Sequence, residues 1–511
     1  MPNTLKSGAL SLATLRKGYQ SPAVVALSTS DQAKIQAARD TVLKVLEEGR
    51  TVYGINTGFG LLARTKIAPD QLGDLQRNLV LSHMAGVGDY LEDDVCRLVL
   101  ILKILSLAKG HSGVRIELVE TLNALLKAEV YPCIPEKGSV GASGDLAPLA
   151  HLSGVLLGVG KVRHKGKELT AEKGLEIAGL KPMTLEAKEG LALLNGTQVS
   201  NALALSGLFE IEKVFAAAMV AGALSVDAAK GSDAPFTAGL HEVRGQKGQI
   251  AVAKVYRSLL AGSAIRQSHL ECERVQDPYC LRCQPQVMGA ILDQMEHAAD
   301  ILLREAGAVS DNPIVFADSG EIISGGNFHG EPVAMAADNL AIALAEIGNL
   351  SERRTALLMD EKLSGLPAFL INEGGLNSGF MIAQVTAAAL ASENKQMAGP
   401  ASVDTIPTSA NQEDHVSMAT FAARRLHDMA WNAGNIVAVE ILAALQGIDF
   451  HAPLKTSKAL LPIYQKIRSK VPNLSQDRPM TPDIEAIHAL IRAGEFEGLV
   501  GDLLPSGPRN G

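Results

Sequence analysis

The sequence predicts a mainly α-helical protein, a long-helix bundle core with a loop-rich mixed N-terminal region. Three observations carry this. Hydrophobic residues make up 47% of the 511 positions but aromatic residues only 4%, a mix of Ala, Leu, Val and Ile that suits close-packed helices better than a β-sandwich. Four windows, 287–308, 333–359, 378–397 and 413–446, contain no proline and repeat apolar residues at three- and four-residue spacing. Glycine and proline gather at 131–148, 324–332 and 399–408, where loops are expected.

Taken in order, roughly the first 110 residues alternate short helical patterns with turns, including the stretch 52–60. The stretch 138–148 is a small-residue loop. After it Asp145 reads as the N-cap of a helix through Leu146 and Leu152, with Pro148 tolerable in the first turn. The alanine and glycine of the long windows let backbones approach closely, within a bundle or between subunits. Beyond 450, Pro453, Pro462, Pro472, Pro479 and Pro482 punctuate shorter helices that read as a terminal cap. The expected division is 1–200, 201–450 and 451–511, with a frayed tail at 505–511.

Composition narrows the function. A net charge of −8 with no basic run gives no reason to expect a nucleic-acid partner. The first residues lack a basic segment followed by an apolar one, and no apolar run reaches the roughly 18 residues of a membrane span; the stretch 215–226 is too short. A soluble cytoplasmic protein is expected. Five cysteines, Cys96, Cys133, Cys272, Cys280 and Cys283, are an odd count in a long chain and argue for free thiols. Cys280 and Cys283 have C-x-x-C spacing, but a zinc site needs a second ligand pair and none is near.

The chemistry-bearing segment is Ala142-Ser143-Gly144. A tight reversal can bring the amide nitrogen of Gly144 against the carbonyl carbon of Ala142, because glycine has no Cβ to prevent it. Cyclisation with loss of water, then loss of the Ser143 hydroxyl as a second water, leaves an exocyclic methylene on a five-membered ring. That group is an electrophile the ordinary side chains do not supply. The helix after Asp145 points its positive end at it, where charge on the ring carbonyl is stabilised. Alone, the triplet reads as a flexible loop.

It is not alone. The segments 53–60, 78–86, 138–145, 194–198, 276–286, 310–313, 325–330 and 411–415 occur in the order seen in the aromatic amino-acid ammonia-lyases, which the chain resembles over nearly its whole length. The resemblance implies a 4-methylidene-imidazol-5-one (MIO) group formed autocatalytically from Ala142, Ser143 and Gly144, with no metal or nucleotide. It also implies a fumarase/aspartase-like superfold and a homotetramer whose active sites draw on more than one subunit.

The resemblance further implies roles. Tyr53 is the base for the substrate β-proton; holding a phenol ionised at pH 7 costs about 4 kcal/mol unless its surroundings help. Arg282 offers a planar fork to the substrate carboxylate, with Tyr279 beside it. Asn195 is an amide donor to the MIO oxygen, and Gln276 and Asn312 are polar liners. Phe328 walls the pocket, and Asp145 aids cyclisation or simply caps its helix. Cys280 stands where relatives usually carry serine, so oxidants and thiol reagents are expected to find it.

Substrate choice rests on His83 and Glu413. Glu413 lies where phenylalanine- and tyrosine-specific relatives generally carry glutamine. A carboxylate in a partly dry pocket is costly against a benzene ring but gains a charge-assisted hydrogen bond from an imidazole, and His83 can bond the same ring. L-Histidine, deaminated to trans-urocanate and ammonia, is therefore expected. The alternatives are a tyrosine or phenylalanine ammonia-lyase or a 2,3-aminomutase. The fumarase–aspartase group itself needs a Gly-Ser-Ser loop and a Met-Pro-x-Lys-x-Asn segment, which the sequence lacks.

Overall fold

Alanine-rich windows free of proline become long helices. In the computed structural model, which describes residues 2–58, 67–270 and 275–507, these are Gln284–Ala306, Glu331–Met359, Met381–Met397 and Ala419–Asp449. The mainly α-helical class is as predicted. Two boundaries carry information. The last helix starts six residues later than its apolar pattern, because Met418 sits at a φ of 55° and its amide is drawn off to Val140 O at 2.8 Å. A fifth long helix, Gln198–Ala228, absorbs the short apolar stretch at 215–226. The strands are minor: among the described residues they make three two-stranded pairings and one three-stranded sheet.

The described chain forms two compact units. The first comprises Met1–Ser206, Ala299–Asp338 and Pro400–Arg424; the second comprises Gly207–Ala298, Asn339–Gly399 and Arg425–Gly511. In the first, the Asp93–Leu107 helix is buried from Val95 through Leu107. Leu79, Ala150, Leu191 and Leu194 form a second apolar cluster, with Tyr53, Met84 and Leu146 packed on it.

In the second unit the core contains an ion pair with no solvent exposure, Arg354 with Glu440. Arg354 Nη2 reaches Glu440 Oε2 at 2.8 Å, Ser225 Oγ donates to Glu440 Oε1 at 2.7 Å, and Arg354 Nη1 donates to Gln284 Oε1 at 3.3 Å. Four long helices are thereby tied at one level, with the charge satisfied where it lies. Glu331–Met359 is the one described helix long and apolar enough to cross a membrane, and 67% of its apolar window is buried within the protein, as a core helix requires.

Candidate active site

The loop 138–145 is held by backbone geometry that glycine alone permits. Gly144 has a φ of 72°, and a Cβ there would meet Gly196 O at 2.3 Å. Gly144 and Gly196 bridge side by side, and Asp145 N donates to Gly196 O at 2.8 Å. On the other side Gly141 O accepts from Gly330 N and from Ser417 Oγ, both at 3.0 Å. Segments far apart in sequence thus close on one turn.

Asp145 is the hub: it occupies the N-cap position of the Leu146–Leu156 helix as expected, but its side chain is used elsewhere. Its side chain makes no capping bond to its own helix, Leu146–Leu156. Instead Oδ2 accepts from Ser200 N at 2.8 Å and Ser200 Oγ at 2.9 Å, while Oδ1 accepts from Thr420 Oγ1 at 2.8 Å and Ser139 Oγ at 3.0 Å. The residue is fully buried; burial pushes its carboxyl up, and the Ser200, Thr420 and Ser139 bonds oppose that. These partners were not singled out in the sequence, since a lone serine or threonine carries no pattern.

Ser143 is half-buried and doubly addressed. Its hydroxyl donates to Glu413 Oε1 at 2.6 Å, and its carbonyl oxygen accepts from Asn195 Nδ2 at 2.7 Å. Glu413 Oε2 accepts from Thr408 Oγ1 at 2.6 Å, which fixes the carboxylate. The Asn195 donor lies on the oxygen that the cyclised ring would keep as its carbonyl. The chain therefore fits the expected group: a turn only glycine can make, a serine hydroxyl on an acceptor and a carbonyl on a donor.

In the same unit, Tyr53 is half-buried and packs on the apolar cluster of Leu79, Ala150, Leu191 and Leu194. His83 ends the Leu72–His83 helix, and its Nδ1 lies 2.8 Å from Leu79 O, a carbonyl that accepts from it. Asn312 is buried, and its amide is occupied in holding a turn, accepting from Gly325 N at 2.8 Å and donating to Ser324 Oγ at 3.1 Å. Phe328 is half-buried two residues before Gly330. Next to it, His329, Glu331 and His415 have donor atoms within 4.8 Å of one another. Both ring nitrogens of His329 are engaged, however, Nε2 with His415 O at 3.2 Å and Nδ1 with Glu331 N at 3.3 Å.

Gln276, Tyr279 and Arg282 belong to the second unit and form their own group. Arg282 Nη2 donates to Gln276 Oε1 at 3.1 Å, and its guanidinium lies 4.6 Å from the Tyr279 ring centre. Arg282 Nε is buried without a partner among the described residues. Of the cysteines, Cys96 and Cys133 are buried, and Cys280 and Cys283 are half-buried free thiols. Burial pushes the Cys280 thiol up, which works against its reactivity as a thiolate. Cys272, residues 59 and 60 of the 53–60 motif and the tail from 508 lie outside the described residues.

Comparison with known proteins gives the chain's relatives. The family model described as aromatic amino acid lyase matches residues 10–469. The chain is 61% identical over 503 residues to the histidine ammonia-lyase of Desulfotalea psychrophila, covering 98% of each chain. Among solved structures it is similar to histidine ammonia-lyase from Trypanosoma cruzi, with a TM-score of 0.91, 42% identity and coverage of 99% of this chain and 96% of that one. It is also similar to tyrosine aminomutase from Streptomyces globisporus, with a TM-score of 0.92, 35% identity and 98% of each chain covered.

Proposed function

The chain belongs to the aromatic amino acid lyase family, and within it we propose a histidine ammonia-lyase, a carbon–nitrogen lyase that converts L-histidine to trans-urocanate and ammonia. The observation that carries the substrate is the Glu413 carboxylate, set 2.6 Å from the Ser143 hydroxyl. An acid at the reactive serine discriminates for an imidazole and against a phenyl ring. The relatives named histidine ammonia-lyase at about 60% identity support the same reading.

The MIO group, made from Ala142, Ser143 and Gly144, supplies an electrophile that turns the substrate amine into a leaving group. The chain's own residues do the rest. Asn195 Nδ2 donates to the oxygen on which negative charge collects. Glu413 accepts an imidazole N–H through Oε1 while Thr408 keeps Oε2 in place, and His83 Nε2 offers a second acceptor. Arg282, whose Nε has no partner among the described residues, takes the substrate carboxylate. Tyr53, walled by apolar residues, removes the β-proton. The enzyme is proposed to be a soluble, cytoplasmic homotetramer with shared sites. Ile342, Ile382, Val385 and Trp431, exposed apolar residues on long helices, support an assembly that covers them.

The test is direct. The purified chain is expected to weigh two waters less than its encoded sequence and to raise urocanate absorbance when given L-histidine. Ser143→Ala removes both signals together. A full-weight, inactive chain would sink the proposal. Cinnamate-type or β-amino products from tyrosine, without urocanate from histidine, would select the alternative reading.

A further inference from the structure

Lys103 sits in the buried Asp93–Leu107 helix and is itself 1% exposed. A buried ammonium normally demands a carboxylate, yet among the described residues none lies within ion-pair distance. Its Nζ instead donates to Ala192 O at 2.9 Å and to Asn195 O at 2.8 Å. Both carbonyls belong to the end of the Glu189–Leu194 helix, whose C-cap is Asn195. There the last carbonyls lack partners within the helix and a cation is favoured.

The other end of that helix makes an instructive contrast. Lys188, its N-cap residue, is equally buried but closes an ordinary pair with Asp311 at 2.8 Å. The short helix is pinned by two buried lysines, one neutralised and one spent on backbone oxygens. The second pin adjoins the loop. Past Asn195 the chain runs directly into Gly196, whose carbonyl takes Asp145 N, while the Asn195 side chain holds Ser143 O.

We propose that Lys103 is a positioning residue for the reactive loop: by gripping Ala192 O and Asn195 O it sets the segment that aims the Asn195 amide at the Ser143 carbonyl oxygen. The inference rests on the lyase reading above. It also accounts for a buried amine with no counter-ion in ion-pair distance among the described residues, since its work is directional and needs donors on two carbonyls. Burial drives the lysine down to about 7, opposed by Asp311, deepened by Lys188 and opposed again by Asp145. Even the neutral amine keeps two N–H donors, enough for both carbonyls.

The experiment compares Lys103→Met and Lys103→Arg with the unaltered enzyme by intact mass, kcat per processed chain, KM and melting temperature. Misdirecting one donor at a developing charge is expected to lower kcat about 100-fold in Lys103→Met, with KM changed less than about threefold. A fraction of that variant is also expected to retain the full encoded mass. Lys103→Arg, which keeps donors and charge, is expected to recover the processed mass and to come within about tenfold of the original kcat. A methionine variant that is fully processed and within about twofold in kcat, while melting lower, makes Lys103 an ordinary core lysine and overturns the proposal. If the methionine variant does not fold, a folded arginine variant decides: unprocessed or more than about tenfold slower, it overturns the proposal. Failure of the unaltered chain to show the mass deficit would instead overturn the lyase reading, so the two failures are distinguishable.

Discussion

The two units each contain a glycine contact too close for a side chain and a deeply buried cation, and they use them differently. In the second unit, a Cβ on Gly248 would meet Gly289 O at 2.2 Å, which lets the Lys247–Leu260 and Gln284–Ala306 helices touch. Its buried Arg354 is paired with Glu440. In the first unit one such contact is Gly144 on Gly196, and of its two buried lysines Lys188 pairs with Asp311 while Lys103 faces carbonyls. One set fixes helices against each other; the other holds a reactive turn. The same physical devices become structural or chemical according to whether their hydrogen bonds close on themselves or lead onward to a reacting atom.

The sharpest way to break the comparison is Gly144→Ala. A methyl 2.3 Å from Gly196 O, on a residue with a φ of 72°, prevents the turn. Complete loss of urocanate formation and of the two-water mass deficit is expected; a processed Gly144→Ala chain would show that the contact is dispensable.

Next in size is Arg354→Met. Leaving Glu440 buried without its partner is expected to destabilise by about 3–5 kcal/mol, read as a lower denaturation midpoint. The mass deficit should nevertheless be intact in the folded fraction. A folded Arg354→Met chain at full encoded mass would mean that the second unit governs the loop's chemistry after all.

An effect of similar size appears as a slope. Lys103, ordinarily at 10.5, is lowered to about 7 by burial. Between these values the unfolded chain binds a proton that the folded chain does not, so the Lys103 contribution to stability rises with pH across that window. Below about 7 both states hold the proton and the contribution stays at its minimum. Melting temperatures from pH 7 to 10 should therefore climb less steeply in Lys103→Met than in the original chain; parallel slopes would show that the lysine stays charged in the fold.

Much of this was legible in the sequence, and what was not has a physical reason. Helical periodicity and the absence of proline located four long helices because amphipathic spacing is local information. The start of Ala419–Asp449 escaped it, since Met418 leaves the helical region only through a bond to Val140, 278 positions away. The N-cap position of Asp145 was legible because aspartate favours that place before a helix; its side-chain partners, Ser139, Ser200 and Thr420, become neighbours only in the fold. Ser143, Asn195 and Glu413 were found through motif order, which also anticipated the Asn195 amide on the oxygen the ring would keep, now seen on Ser143 O; the bond from the Ser143 hydroxyl to Glu413 joins positions 270 residues apart and was not anticipated. Lys103 left no signal at all. A lysine in an apolar helix reads as an edge residue until the carbonyls of Ala192 and Asn195 are seen opposite it.

The reach of Asp145 has a temporal side. Its carboxylate collects hydroxyls from positions 139, 200 and 420, and the Ser143 hydroxyl waits on an acceptor at 413. During synthesis those last contacts arrive only when about four fifths of the polypeptide has been made. On the lyase reading proposed above, cyclisation that depends on these contacts keeps the tripeptide an ordinary stretch of chain until then. The electrophile is thereby withheld from nascent and truncated molecules, in which it would only be consumed by stray nucleophiles.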